Sequence, residues 1–186
     1  AEAAHWPAPI KVAVNLSPVQ LTKSGLVEAV TAALSAANLD PKRLELEIIE
    51  STLLGNTEPV LRTLWDLKKL GIEIAMDDFG TSYSSLGYLR KFPFDKIKVD
   101  RSFITDLGSS AESMAIVRAV VGLATGLGMA TVAEGVETAE QLGSLQAEGC
   151  EQAQGYYFSR PRPASEIRAM FDETSSSRSG VEATAV

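Results

Sequence analysis

The residues best placed to do chemistry are two adjacent carboxylates in Met76-Asp77-Asp78-Phe79-Gly80-Thr81-Ser82-Tyr83-Ser84-Ser85. A short apolar run, Ile72-Glu73-Ile74-Ala75-Met76, delivers them, and a Gly/Ser/Thr turn follows at once. Carboxylates at a strand end beside such a turn are where α/β proteins hold metals and phosphates. The same chemistry recurs at the ends of the other apolar runs. Asn15 closes the first, Glu47 and Glu50 lie in Glu-Ile-Ile-Glu-Ser, and Lys98 and Asp100 lie in Lys-Val-Asp-Arg-Ser-Phe. Glu134 and Glu137 follow in Ala-Glu-Gly-Val-Glu-Thr, and Gln154 in Gln-Gly-Tyr.

Several carboxylates buried together raise one another's pKa and need a counter-charge. Oxygen donors without His or Cys suit Mg²⁺, Mn²⁺ or Ca²⁺. Two such ions can share an Asp and activate a bridging water for in-line attack at phosphorus. Lys98 would then neutralise phosphate charge or orient that water. Strand alternation lets one carboxylate of each neighbouring pair point to the barrel mouth while the other supports a loop. Singly, each residue has an ordinary explanation. An Asp-Asp pair caps a helix or sits in a solvated loop, and Asn15 before Leu-Ser-Pro initiates a turn. Lys98 alone would be a strand-edge lysine, and Glu137 and Glu140 surface helix residues. Six consecutive strands that each end in such a residue point instead to a divalent-metal site.

The elements that must position these groups alternate along the chain. The pattern predicts strands over Ile10–Asn15, Leu44–Ile49, Ile72–Asp77, Lys96–Asp100, Ala130–Glu134 and Cys150–Gly155. Helices are predicted near Pro18–Ala37, Thr57–Leu70, Ser84–Lys91, Ala111–Leu127 and Ala139–Glu148. Leu26, Val27, Val30, Ala33, Leu34 and Ala37 form an apolar stripe of helical period. Gly71 and Gly128 stand where helices end. Six βα repeats mean a parallel sheet with covering helices, either doubly wound or a TIM-like (β/α) barrel. The polar strand ends favour the barrel, which builds a site from several strand ends at once. About six βα units are present, so an eight-stranded barrel would be incomplete, with its first strands missing. From Glu173 the chain loses periodicity, and residues 173–186 read as a disordered tail after a domain over residues 1–172.

Composition narrows the function classes. The 186 residues fit one domain, with 45% hydrophobic and 22% charged residues. No run approaches the ~18 apolar residues of a membrane span. The N-terminus has no signal-peptide pattern and no Met, as in a processed or partial product. Cys150 is the only cysteine, which excludes an internal disulfide and fits a cytoplasmic setting with Cys150 buried as a small apolar residue. The only histidine, His5, argues against His-rich zinc sites and His-dependent triads. A net charge of −7 without a basic stripe makes duplex nucleic acid an unlikely ligand. Divalent cations would let so acidic a chain take a phosphate ligand.

Longer motifs resemble a known family. They are Val-Asn-Leu-Ser-Pro-Val-Gln-Leu from Val14, Leu-Glu-Leu-Glu-Ile-Ile-Glu-Ser from Leu44, and Asp-Asp-Phe-Gly-Thr-Ser-Tyr-Ser-Ser-Leu from Asp77. Phe-Pro-Phe-Asp-Lys-Ile-Lys-Val-Asp-Arg-Ser-Phe from Phe92, Val-Ala-Glu-Gly-Val-Glu-Thr from Val132 and the segment Ala153–Pro161 continue the series. In this order, over roughly Trp6 to Phe171, they resemble the EAL domain, a bacterial phosphodiesterase of cyclic di-GMP. The resemblance implies a TIM-like barrel that hydrolyses cyclic di-GMP to linear pGpG with two Mg²⁺ or Mn²⁺ ions. It implies metal ligation by Asn15, Glu47, Asp77 and Asp78, with Asp77 shared between the ions. Lys98, Asp78 and Glu134 would be the catalytic groups, Lys98 contacting the attacking water or the phosphate. Gln154, Arg90 and Asp100 would serve the substrate, and Glu50 would brace the loop from Asp78 to Ser85. A homodimer and an upstream regulatory or GGDEF-type domain, with membrane tethering of the parent protein, are further expectations.

The chain departs from the family in three places. The Glu-Ala-Leu motif is absent, so the Glu it would supply as first metal ligand is missing. Ile49 replaces the Thr of Glu-Ile-Thr-Glu, and Ser82 replaces a Gly. If Ser82 adopts φ > 0 the change costs about 1 kcal/mol. Two functions follow: the C-terminal portion of a phosphodiesterase, weak or inactive by itself, or a degenerate module that binds cyclic di-GMP or a protein without hydrolysis. Edges left by an open barrel would drive dimerisation.

Overall fold

The computed structural model describes residues 1–7, 10–54, 57–81, 86–107, 110–167 and 170. Six strands form one parallel sheet: β1 (Val12–Leu16), β2 (Leu44–Ile49), β3 (Glu73–Phe79), β4 (Lys96–Val99), β5 (Ala130–Ala133) and β6 (Gln152–Ala153). Between them run α1 (Pro18–Thr22), α2 (Leu26–Ala37), α3 (Thr57–Lys69), α4 (Leu86–Lys91), α5 (Arg101–Thr105), α6 (Ala111–Leu127) and α7 (Ala139–Ala147). Each strand pairs with the next in chain order, from β1 to β6. That is barrel order; a doubly wound sheet reverses direction at a switch point. Among the described residues β1 and β6 do not pair, so the barrel is an open arc.

Alternation and register give the arc two unlike faces. Leu46, Ile74, Met76 and Ile97 share one face through the pairings Leu46↔Ile74 and Met76↔Ile97. All are buried in a single core with Val60, Leu64 and Leu67 of α3 and Val117, Val121 and Ala124 of α6. These helical positions recur every three or four residues, the spacing of one helix face. The opposite face carries Glu45, Glu47, Ala75, Asp77, Lys96 and Lys98 in register. The charged members of that set are all buried.

Local chemistry explains most helix starts. Ser17 and Gln20 form a capping box with Pro18 in the first turn, and Thr138 and Gln141 form another. Ser110 caps α6, which ends at Gly128 in a left-handed conformation.

The expected helix over Pro18–Ala37 is two helices. Lys23 is extended, with φ −78° and ψ 140°, and Gly25 takes φ 89°, so the chain turns before Leu26. The apolar stripe therefore belongs to α2 alone, where Leu34 is buried and Ala33 is exposed. The expected strand at Cys150–Gly155 holds only two paired residues, because β6 is an edge with one neighbour. β3 runs two residues past Asp77, and α5 was not anticipated. Cys150 is half-buried, and its thiol is pushed up by burial. Ser82 and the tail over 173–186 lie outside the described residues.

Candidate metal centre

The site begins with an irregularity in β3. Met76 pairs with Ile97 of β4, and the next paired residues are Phe79 and Val99. Asp77 and Asp78 thus stand opposite the single residue Lys98. An extra residue of this kind is a β-bulge, a common device for re-aiming side chains beside active sites. Regular alternation would send the two carboxylates to opposite faces. With the bulge, oxygens of Asp77, Asp78 and Glu134 lie within 4.8 Å of one another. The bulge thus brings together two carboxylates that regular alternation would separate.

Asp78 makes the bulge by adopting φ 54°. A left-handed residue costs about 1–2 kcal/mol, although Asp tolerates it better than most. Local hydrogen bonds offset part of this. The Asp78 N–H donates to Asp77 Oδ1 at 3.1 Å, and the Thr81 hydroxyl donates to the Asp78 carbonyl at 2.9 Å. Glu50 braces the turn, its Oε2 accepting the Gly80 N–H at 3.1 Å.

Lys98 is the hub. Its Nζ lies 2.8 Å from Glu47 Oε1, 3.0 Å from Asp77 Oδ1 and 2.7 Å from Glu134 Oε1. An ammonium has three N–H donors, as many as the carboxylates it pairs with here. Gln154 Nε2 donates to Glu134 Oε1 at 2.5 Å, the same oxygen that pairs with Lys98. The backbone sets its height: the Glu134 N–H donates to the Val99 carbonyl at 3.1 Å, and the Gln154 N–H to the Ala133 carbonyl at 2.9 Å.

The electrostatics record a shortage of positive charge. Burial pushes the carboxyls of Glu47 and Glu134 up, and this outweighs the pull of Lys98 on each. Burial, then Asp77 and Asp100, push Asp78 up. Burial opposes the charge on Lys98, yet Glu134 and Glu47 together hold its pKa above the ordinary lysine value. Three carboxylates pair with the one ammonium and Asp78 stands beside them, with no second cation paired to the cluster among the described residues. The donors are all oxygens, and Asp77, Asp78 and Glu134 are spaced to share an ion, so the set fits a hard divalent cation.

The remaining sequence candidates are more dispersed. Asn15 lies in register with Glu47 on the edge strand β1 and is exposed. Asp100 caps α5, accepting the Ser102 N–H at 2.9 Å. Arg90 is exposed at the end of α4, and no described ion pair or hydrogen bond joins it or Asp100 to the cluster. Sequence reasoning missed a second charged layer below the first. Lys96 pairs with Glu45 at 2.5 Å and Lys11 with Glu73 at 2.5 Å. A signal was present: Glu45 and Glu47, like Lys96 and Lys98, are spaced by two and so share a strand face.

Comparisons with known proteins agree with this geometry. The EAL domain family matches residues 1–161. The cyclic di-GMP phosphodiesterase NbdA of Pseudomonas aeruginosa is 46% identical over 83% of the chain and 20% of its own length. The c-di-GMP complex of the MucR phosphodiesterase from the same organism superposes with a TM-score of 0.80 at 43% identity, covering 84% of this chain and 64% of that one. BlrP1 of Klebsiella pneumoniae, a manganese/cyclic di-GMP complex, gives 0.76 at 38% identity, covering 81% of this chain and 39% of that one. The chain spans about a fifth of the length of the curated relatives it matches. With the motif match, the barrel-ordered sheet and the superposition in accord, the chain belongs to the EAL domain family, whose relatives include phosphodiesterases of cyclic di-GMP.

Proposed function

We propose that this chain carries most of the active site of a phosphodiesterase that hydrolyses cyclic di-GMP to linear pGpG with two Mg²⁺ or Mn²⁺ ions. The observation that carries the proposal is the unbalanced cluster: Glu47, Asp77, Asp78 and Glu134 around Lys98 alone. In this reading Asn15, Glu47, Asp77 and Asp78 hold the ions, with Asp77 between them. When bound, the ions polarise the scissile phosphodiester and lower the pKa of a water so that it can attack. The BlrP1 complexes with manganese and with calcium support divalent binding at such a site.

The chain's own groups then have defined tasks. Lys98 holds Glu47, Asp77 and Glu134 in place, and one N–H released by any of them is free to meet a phosphate oxygen or the attacking water. Glu134, fixed by Gln154, orients that ammonium. Glu50 keeps Gly80, and with it Asp78, at a set height. Gln154 lines the substrate side of the cluster. Arg90 and Asp100 act from the rim, Asp100 chiefly through its charge on Asp78. Residues 1–172 form the domain, which acts as a homodimer in a longer cytoplasmic or membrane-tethered protein with a regulatory domain.

The sequence has no Glu-Ala-Leu tripeptide, which favours a second reading: a module that binds cyclic di-GMP without turnover. Losing one ligand from a two-ion site would slow the reaction by about 10³-fold or more. Incubating the chain with cyclic di-GMP and Mn²⁺, beside a form that also carries the family's Glu-Ala-Leu strand, separates the two. The first reading predicts pGpG from the longer form and little from the chain alone. Binding without pGpG from either supports the second, and neither binding nor pGpG removes both.

A further inference from the structure

We infer that α5, through Phe103, sets the placement of the Asp77–Asp78 turn relative to Glu134, so that Phe103 is a positioning residue of the metal centre. The inference rests on the metal reading above and extends it to a helix outside the cluster.

Two glycines carry the argument, each within two residues of a cluster residue. Gly80 lies two residues past Asp78, with φ 95°, and a Cβ built on it would come within 3.0 Å of the Phe103 ring. Gly135 follows Glu134, with φ 72°, and a Cβ there would lie 2.6 Å from Arg101 Cβ and 3.5 Å from Arg101 Cα. The first distance is at the limit of real side-chain contacts and the second is well inside it. Both turns are therefore pressed against α5, the first on the Phe103 ring and the second on the helix at Arg101.

The helix itself is anchored. Its N-cap, Asp100, lies two residues after Lys98 and bonds the Ser102 N–H and hydroxyl. Ile104 is fully buried in the core, and its carbonyl accepts Gln141 Nε2 of α7 at 3.1 Å. On the other side of the first turn, Glu50 holds the Gly80 N–H. Gly80 is thus clamped between a hydrogen bond and an aromatic ring. Shrinking the ring frees the turn on one side, and the bulge that aims Asp77 and Asp78 at one cluster loses its support.

The test compares Phe103→Leu and Phe103→Ala with Leu145→Ala, a control in the buried face of α7. The first readout is amide hydrogen exchange at Gly80 without metal. The second is Mn²⁺ affinity by calorimetry, with thermal unfolding to match stability losses. The expected result is at least tenfold faster Gly80 exchange and about tenfold weaker Mn²⁺ binding in Phe103→Ala, smaller changes of the same sign in Phe103→Leu, and neither in the control. Should Phe103→Ala not fold, Phe103→Leu decides. Gly80 exchange equal to that of the control overturns the inference. So does faster exchange with unaltered Mn²⁺ affinity. A wild-type chain that takes up no Mn²⁺ sinks the metal reading instead, and the exchange result still decides whether Phe103 holds the turn.

Discussion

The lower layer of the polar sheet face pairs Glu45 with Lys96 and Glu73 with Lys11, one ammonium for each carboxylate. The upper layer, one step along the sheet, gathers Glu47, Asp77 and Glu134 around Lys98, with Asp78 beside them and no other paired cation among the described residues. Glu45–Lys96 is as buried as Lys98, whereas Lys11–Glu73 is partly exposed, yet only the upper layer is electrically open. A closed pair needs nothing further and serves the barrel interior. An open cluster is unfavourable by itself, because like charges in a poorly solvated site repel. The difference arises from two features: the bulge that adds Asp78, and β5, which contributes Glu134 at the upper level with no matching cation. Excess carboxylate is what a cation site looks like when the protein supplies only its own side of the charge.

The largest effect should come from Lys98→Met, which leaves Glu47, Asp77 and Glu134 without their counter-charge. We expect a loss of about 3–5 kcal/mol, or roughly 10 °C in Tm by calorimetry. Saturating Mn²⁺ should restore a larger part of that loss than it adds to the wild type, since the ion replaces the missing charge. Equal gains in both proteins would break the comparison between the layers.

Next comes the ion itself. At a free concentration 100 times its Kd, a cation that binds only the folded state stabilises by about 2.7 kcal/mol, which raises Tm by roughly 5–10 °C. Differential scanning fluorimetry with Mn²⁺ checks this. Asp77→Asn should remove the shift, and Glu45→Gln should keep it.

The pH response should be smaller and has a defined sign. Burial raises Glu47 and Glu134 above the ordinary value of 4.5. The folded chain therefore holds their protons more tightly than the unfolded one. Their contribution is full below pH 4.5 and is lost as pH rises through the folded values. Glu47→Gln should gain stability relative to wild type as pH rises above 4.5 without metal, and lose that advantage in saturating Mn²⁺. Parallel pH profiles for the two proteins would contradict this.

The smallest effect belongs to the closed layer. Replacing both Glu45 and Lys96 with Met should be neutral or stabilising by up to about 2 kcal/mol. Mn²⁺ affinity should stay within twofold. A large loss of affinity would show that the layers are not independent.

Much of this was legible in the sequence. β2 over Leu44–Ile49 and α6 over Ala111–Leu127 were readable to the residue, since apolar period and capping residues agree there. Glu47, Lys98 and Glu134 could be placed on one face from strand alternation alone. The bulge could not, because it depends on the backbone angle of Asp78 and leaves no trace in composition or period. α5 escaped because five residues are too few to show a helical period, and its contacts are with turns distant in sequence. The split between α1 and α2 was hidden by an apolar stripe that lies wholly in the second helix.

The central claim is that the upper layer is short of positive charge and takes a divalent cation to complete it. Isothermal titration of Mn²⁺ into the wild-type chain and into Asp77→Asn tests it most directly. The account predicts saturable binding by the wild type that weakens by at least tenfold in Asp77→Asn. No saturable binding, or equal binding by both proteins, would contradict it.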